Sequence, residues 1–421
     1  MMSNSNNNLK KWLKPRGYIH FDNKRSLKFA QKYVQDLENI KKHSFLPFLK
    51  YIKIKSSYLA NENKTKSKER PIMYASHLDS HIYSWYSHQL SQHYEKFIQN
   101  NGIAECVLAY RSLGKCNIDF SKEVFDEIVC KAPCTVLTFD ISGFFDNIDH
   151  KILKQAWCNI LGVTELPLDH YKVYKSITKY SYVNLDSVFK ELQIDREQLK
   201  EKKRICSFQE FRERVRGKGL VQTNKLNYGI PQGSPISAVL SNIFLIHFDE
   251  LMQKHANQIN GVYRRYCDDI LWICPNDDVE IIKSLVIKEI YTMGGQLTIN
   301  DKKTEISVFK IDNDKLIGTP ALQYLGFTFD GQRRLIRSQT VGRYCRRMKT
   351  AVRFAGVAAL NAGYSQLYRK SIYRKYSHLG NNNFIRYANR SAEIMASKEI
   401  RRQIRRHWKN LHKEIERINL K

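Results

Sequence analysis

Three carboxylates in two separated strings have the most chemistry to offer. Asp140 closes the apolar run of Val136, Leu137 and Phe139 in TFDISGFFDNIDH, and Asp268 and Asp269 stand side by side in RYCDDILW. A carboxylate costs too much to bury in a strand unless it is paired or metal-bound, so acids at the ends of buried strands call for a reason. Singly, each has an ordinary one, because Asp caps helices and a pair of them makes an acceptable hairpin turn. Together they match two-metal phosphoryl transfer, which needs about three carboxylate oxygens converging within roughly 4 Å. One metal would lower the pKa of a primer 3′-hydroxyl and align it on an α-phosphorus. The other would hold the triphosphate and stabilise the leaving pyrophosphate. Mg²⁺ suits the role, with Mn²⁺ a possible substitute, because it favours carboxylate and phosphate oxygens and keeps waters. A cation must also meet the triphosphate, and the candidates are Lys68 and Arg70 in KSKERPI and Lys303 in LTINDKKTEI.

Such acids need strands to carry them. Residues 131–140 read as a buried strand between a Pro-Cys break and an acidic end, followed by a helix from near Asp149. Residues 262–267 and 270–274 read as two short apolar strands around the Asp-Asp turn. A Gly/Pro-marked turn, GIPQGSP, leads into a long helix over 236–255. Upstream, 24–42 and 71–98 carry helical periodicity, and 53–70 is a basic, polar stretch. The segment 165–225 is polar and weakly periodic, as expected of an insertion or helical elaboration. Residues 1–8, rich in Ser and Asn, are expected to be disordered.

The charge balance says what such a site would work on. Seventy Lys+Arg against 41 Asp+Glu leave +29 on 421 residues, an excess that wants a polyanion. From 331 to 421 there are 23 basic and 4 acidic residues, so +19 of the +29 lies in this tail. Tyr364, Tyr368, Tyr373, Tyr376 and Trp408 interleave with those charges. Phosphate contact with stacking on bases explains both features, whereas a merely solvated surface explains neither. No apolar run reaches the roughly 18 residues that span a bilayer, and the N-terminus lacks a signal-peptide core, so no membrane partner and a cytoplasmic location are expected. The nine cysteines show no CxxC pair, as expected of reduced, buried small hydrophobes.

At this point the strings resemble the bacterial reverse transcriptases, including group II intron, retron and defence-associated members. FDISGFFDNIDH and YCDD look like their two catalytic motifs, GIPQGSPISAVLSNIFL like the template and nucleotide loop, LTINDKKTE like the lysine motif and LQYLGFTFD like the primer grip. KERPI and VLAYR are similar to the fingers motifs, so the resemblance covers roughly 66–345 in consistent order. It implies an α+β right-hand polymerase fold: an N-terminal extension (1–23), fingers with the start of the palm (24–135), palm (136–330, with 165–225 inserted) and a basic helical thumb (331–421). The metal ligands it implies are Asp140, Ile141, Asp268 and Asp269, with the three aspartates catalytic. The nucleotide contacts are Lys68, Arg70, Gln232, Gly233, Lys303 (with Lys302 a neighbouring alternative) and Phe145, whose ring would clash with a ribose 2′-hydroxyl and so favour dNTPs. Arg111 of the second fingers motif and the thumb residues Arg343, Arg346, Arg347, Arg401, Arg402, Arg405 and Arg406 are expected on RNA or DNA.

The opening KPRGYIHFDNKR, the YCDD variant and the basic helical end look most like the defence-associated, anti-phage group, of the second type. Membership implies a noncoding RNA as template and primer source, copied into cDNA. Three other readings stay open: a viral-type RNA-dependent RNA polymerase, an RNA-binding maturase that does not polymerise, and a protein-primed, template-independent DNA transferase. Neutralising Arg401, Arg402, Arg405 and Arg406 together is expected to weaken RNA binding and to flatten its log–log salt dependence, each lost phosphate contact removing about 0.7–0.9 from the slope. An unchanged slope in a salt titration would remove that helix from the binding surface.

Overall fold

The computed structural model describes residues 12–59, 64–195 and 197–418. The expected disorder of 1–8 lies outside the described residues. Two short helices, α1 (Leu27–Gln35) and α2 (Leu37–Lys42), lead into a long antiparallel hairpin, β1 (Phe48–Leu59) and β2 (Lys64–Tyr74). The stretch expected to be basic and polar therefore forms strands, and the helix expected from 71 starts later, as α3 (His77–Asn100). The hairpin escapes a reading by alternation because Tyr51, Ile52 and Ile54 are all exposed, so neither periodicity nor burial marks one face as inner.

After α4 (Asn117–Lys131), strand β3 (Cys134–Asp140) enters the centre of a second sheet, and α5 (His150–Leu161) follows, capped by the Asp149 carboxylate. Helices α6 (Leu168–Thr178) and α7 (Leu185–Leu192) come next, with β4 (Ser181–Asn184) between them and β5 (Gln222–Thr223) after. The segment 165–225 is no free-standing elaboration: β4 runs parallel to β1 and pairs with β5, giving a four-stranded sheet ordered β2-β1-β4-β5. Its strands are two and four residues long, too short to leave a period in the sequence.

The helix expected over 236–255 is two helices, α8 (Ser237–Phe244) and α9 (Ile246–Gln258), broken at Leu245. Strands β6 (Val262–Tyr266) and β7 (Asp269–Cys274), helix α10 (Val279–Thr292) and the hairpin β8 (Glu305–Asp312) and β9 (Lys315–Thr319) complete the second sheet, ordered β6-β7-β3-β8-β9 and antiparallel throughout. Strand β3 reads as a continuous apolar run because both its faces are covered. Leu137 and Phe139 enter one core with Trp157, Phe244 and Trp272, while Cys134 and Val136 enter another with Phe125, Phe309 and Phe329.

A small sheet of β10 (Leu322–Tyr324), β11 (Phe327–Phe329) and β12 (Arg334–Ile336) precedes five helices: α11 (Ser338–Asn361), α12 (Arg369–Tyr376), α13 (Phe384–Ile394), α14 (Lys398–Ile404) and α15 (His407–Glu416). Ile385, Ile400 and Ile404 join the core behind β3, so this basic end is packed onto the sheet rather than tethered to it. The architecture is α+β, and no helix among the described residues is long and apolar enough to cross a membrane.

One ion pair in this core has no access to water. Arg265 of β6 and Asp249 of α9 are both 0 % exposed, joined by two bonds of 2.7 and 2.6 Å, with the Tyr263 hydroxyl donating to the same carboxylate at 2.7 Å. Removing one member of such a pair strands a bare charge in a low dielectric. Asp249→Ala is expected to cost about 3–5 kcal/mol, read as a lower urea midpoint. An unmoved midpoint would show that the pair adds nothing to stability.

Candidate active site

Antiparallel register brings two of the three acids face to face. Asp140, the last residue of β3, is the cross-strand partner of Asp269, the first of β7. Partners in such a ladder have Cβ atoms about 4.5–5.5 Å apart. Asp268 sits in the two-residue turn between β6 and β7, one step from Asp269. Cys267, the first central residue of that turn, has φ 62°, a conformation such hairpins use and side chains with a Cβ seldom adopt. Arg265 holds it there, its guanidinium donating to the Cys267 carbonyl at 3.1 Å while clasping Asp249. The main chain past Asp140 is pinned as well: the Ile141 amide donates to the Asp268 carbonyl (3.2 Å), Ser142 to Thr298 (2.8 Å), and Asn300 to the Asp140 carbonyl (2.8 Å). The Ile141 side chain is core, so its main-chain oxygen is what it offers a metal.

Three carboxylates this close repel one another. The Asp269 carboxyl is pushed up to about 6, first by the protein crowded around it and then by the charges of Asp268 and Asp140, although the residue reaches solvent along the cleft. Lys303 opposes that shift, and its ammonium lies 2.5 Å from the Asp140 carboxylate. Of the two neighbouring lysines it is therefore Lys303 that reaches the acids. No group of three His, Cys, Asp or Glu side chains among the described residues is placed to hold a metal ion as it stands, and the Asp140 carboxylate is bonded to the Lys303 ammonium. The donor set is nonetheless all hard oxygen with one side open to solvent, which fits Mg²⁺ or Mn²⁺ better than a soft metal.

The loop expected to meet the nucleotide is zippered on two sides. Ile230 donates to the Phe145 carbonyl (2.9 Å) and Gly229 to Ile148 (2.8 Å), while Met73 at the end of β2 donates to the Gln232 carbonyl (2.8 Å). Gly233 is required there: its φ is +112°, and a Cβ would fall 2.7 Å from the Met73 carbonyl and 3.2 Å from Ile72. Lys68 and Arg70 are exposed on β2 and, two residues apart, share the strand face of Ile72. Phe145 is half-buried with its ring 5.6 Å from that of Phe144.

Arg111 requires correction. Its side chain is 2 % exposed, clasps Glu95 through two bonds of 2.8 and 2.7 Å and donates to the Ala104 and Val107 carbonyls, so no phosphate can reach it. It is a brace of the fold, satisfied by an acid on α3 that sequence spacing gave no reason to pair with it. The arginines of the basic end are carried by the helices from Ser338 onward, not by the strands that hold the acids. Arg343, Arg346 and Arg347 are exposed on α11, Arg401 and Arg402 on α14, and Arg405 and Arg406 in the turn after it. Arg343 and Arg347 line a cavity of about 690 Å³ together with Arg374 and Lys375.

Two contributors went unread in the sequence. Tyr110 stands beside Cys267 and Asp268, its hydroxyl raised above the ordinary range by burial and then by those neighbours. The Arg265–Asp249 pair is the other. The signal available for it was an acid, Asp249, between the apolar Phe248 and Met252 in the buried face of α9.

A family described as reverse transcriptase (RNA-dependent DNA polymerase) matches residues 60–329. No curated protein sequence matches the chain. Among solved structures, it is similar to the C-terminally truncated apo telomerase of Candida tropicalis, with 12% identity, TM-score 0.43 and coverage of 73% of this chain and 59% of that one. The telomerase of Candida albicans in complex with a TWJ fragment of telomeric RNA gives 12% identity and TM-score 0.41, over 91% and 61% of the two chains. The RNA-dependent RNA polymerase of a human picobirnavirus gives 10% and 0.38, over 78% and 61%. The chain thus spans about three fifths of the length of these structures.

Gly233→Ala is expected to strain the loop by about 1–3 kcal/mol and to free the Met73 amide. Hydrogen exchange at Met73 would then rise toward that of an unbonded amide, and unchanged protection would mean that the loop absorbs a Cβ.

Proposed function

The chain belongs to the reverse transcriptase family, and on that footing we propose that it extends a DNA strand on an RNA template, at the cluster of Asp140, Asp268 and Asp269. The observation that carries this reading is the ladder position of Asp140 opposite Asp269 with Asp268 in the adjoining turn, which gathers three carboxylates at one end of the sheet. The three carboxylates and the Ile141 carbonyl would hold two divalent ions, Mg²⁺ by preference, which when bound lower the pKa of the primer hydroxyl and neutralise the leaving pyrophosphate. The protein's own part is positioning. Lys303, with Lys68 and Arg70 from β2, supplies cations to the triphosphate. Gln232 and Gly233 set the loop beneath the nucleotide, and the Phe145 ring fills the space a 2′-hydroxyl would need. The four-stranded sheet acts as fingers, the five-stranded sheet as palm and the helices from Ser338 onward as thumb, where Arg343 and Arg347 meet the product duplex.

The finer reading is a bacterial antiviral enzyme working in the cytoplasm on an associated noncoding RNA, with cDNA as product. It is supported by the resemblance of the opening segment and the YCDD variant to the defence-associated group, and by nine cysteines that are all free thiols. The test is primer extension on an RNA template. Incorporation is expected to favour dNTPs over rNTPs, and Asp268→Ala with Asp269→Ala to abolish it while leaving RNA affinity within about twofold. An rNTP preference would make the chain an RNA polymerase, and joint loss of synthesis and RNA binding would point to misfolding. Sequencing the RNA and DNA that co-purify, and plating phage on cells carrying the wild type or the Ala variant, tests the defence role. A random RNA population or equal plaque counts would reject it.

A further inference from the structure

Lys303 and Asp140 are tied together twice. The Asn300 amide donates to the Asp140 carbonyl at 2.8 Å, and the chain then turns through Asp301–Lys303, the Lys303 amide and the Thr304 hydroxyl both returning to the Asn300 carbonyl at 2.8 and 3.3 Å. That turn brings the lysine back onto the residue from which its own segment hangs, and its ammonium meets the Asp140 carboxylate at 2.5 Å. This is the one ion pair that either residue makes among the described residues, and Lys302, the next residue along, makes none there.

The pair is built to part. Its members are 48 and 18 % exposed, against 0 % for both partners of Arg265–Asp249, so water can replace either side at small cost. A lysine is a point charge on a flexible stem, free to swing to a second anion without giving up a rigid fork of bonds. A divalent ion at the cluster needs the same carboxylate: Mg²⁺ sits about 2.0–2.1 Å from its oxygen ligands, which would press it against the ammonium, and two cations on one carboxylate repel. One of them has to leave. Lys303 also holds the Asp269 carboxyl down, so while it stays it supplies part of the neutralising charge that a metal would bring.

We infer that Lys303 guards the metal position at Asp140 and yields it when the phosphates of an incoming nucleotide draw its ammonium away, so that this one side chain couples metal binding to the arrival of nucleotide. The inference rests on the polymerase reading, but its test reads metal binding and not synthesis. Protein at pH 7.5, above the Asp269 carboxyl at about 6, is titrated with Mn²⁺ in the absence of primer, and the free ion is read by electron paramagnetic resonance. Lys303→Gln is expected to bind Mn²⁺ about three- to tenfold more tightly than the wild type. Lys302→Gln, which removes the same charge one residue away, and Lys303→Arg, which keeps it, are expected to gain nothing. In saturating dTTP, whose own chelation of Mn²⁺ is the same for every protein, the gap between Lys303→Gln and the wild type is expected to close. Unchanged or weaker binding by Lys303→Gln, an equal gain in Lys302→Gln, or a gap that persists in dTTP would overturn the inference. Asp268→Ala with Asp269→Ala separates the two readings: wild-type Mn²⁺ affinity in that variant would overturn the metal cluster itself, whereas its loss beside an unaltered Lys303→Gln would overturn only the guard.

Discussion

Like charges do not gather of their own accord, and the mutual repulsion of Asp140, Asp268 and Asp269 is the constraint around which this molecule is arranged. The Asp269 carboxyl is raised to about 6, first by the crowding of protein around it and then by the charges of Asp268 and Asp140. What resists it is backbone. Six consecutive ladder pairs join β3 to β7, and slipping their register by one residue would carry every side chain of β3 into the opposite core. The buried Arg265–Asp249 pair secures the turn from behind, one guanidinium reaching both the acid of α9 and the carbonyl of Cys267. Lys303 stands in front, placing a positive charge against Asp140.

The acids themselves were legible because chemistry and burial conflict at their positions: a charged residue ending a run of core residues is rare enough to be noticed. Strand β3 was legible for a related reason, since coverage on both faces leaves an unbroken apolar string. Its boundaries were less so, because 131–133 close α4 and lead into the strand without a change in composition. The hairpin of β1 and β2 could not be seen, as its lysines and exposed isoleucines show no inner face. The break at Leu245 falls within a string apolar on both sides, where no capping residue announces it.

Arg111 shows a deeper limit. Its resemblance to an arginine of the second fingers motif suggested a contact with nucleic acid, and only the tertiary fold brings Glu95 alongside and turns the side chain inward. Arg265 is the complementary case, a basic residue beside the acids whose duty is to hold rather than to bind. Charge type is readable from sequence, whereas the partner that spends the charge is a property of packing. The tail arginines stayed exposed because no acid in their helices is placed to absorb most of them.

The bond between the Met73 amide and the Gln232 carbonyl has a mechanical corollary. It welds the root of the β1–β2 hairpin to the floor of the cleft, so the two cannot slide past each other where Gly233 nests against the strand. Any swing of the basic hairpin over an incoming substrate must then be a flexure farther out, with Met73 as the fulcrum. Lys68 and Arg70 lie three to five residues along that lever, close enough to the pivot to be aimed reproducibly and far enough from it to travel.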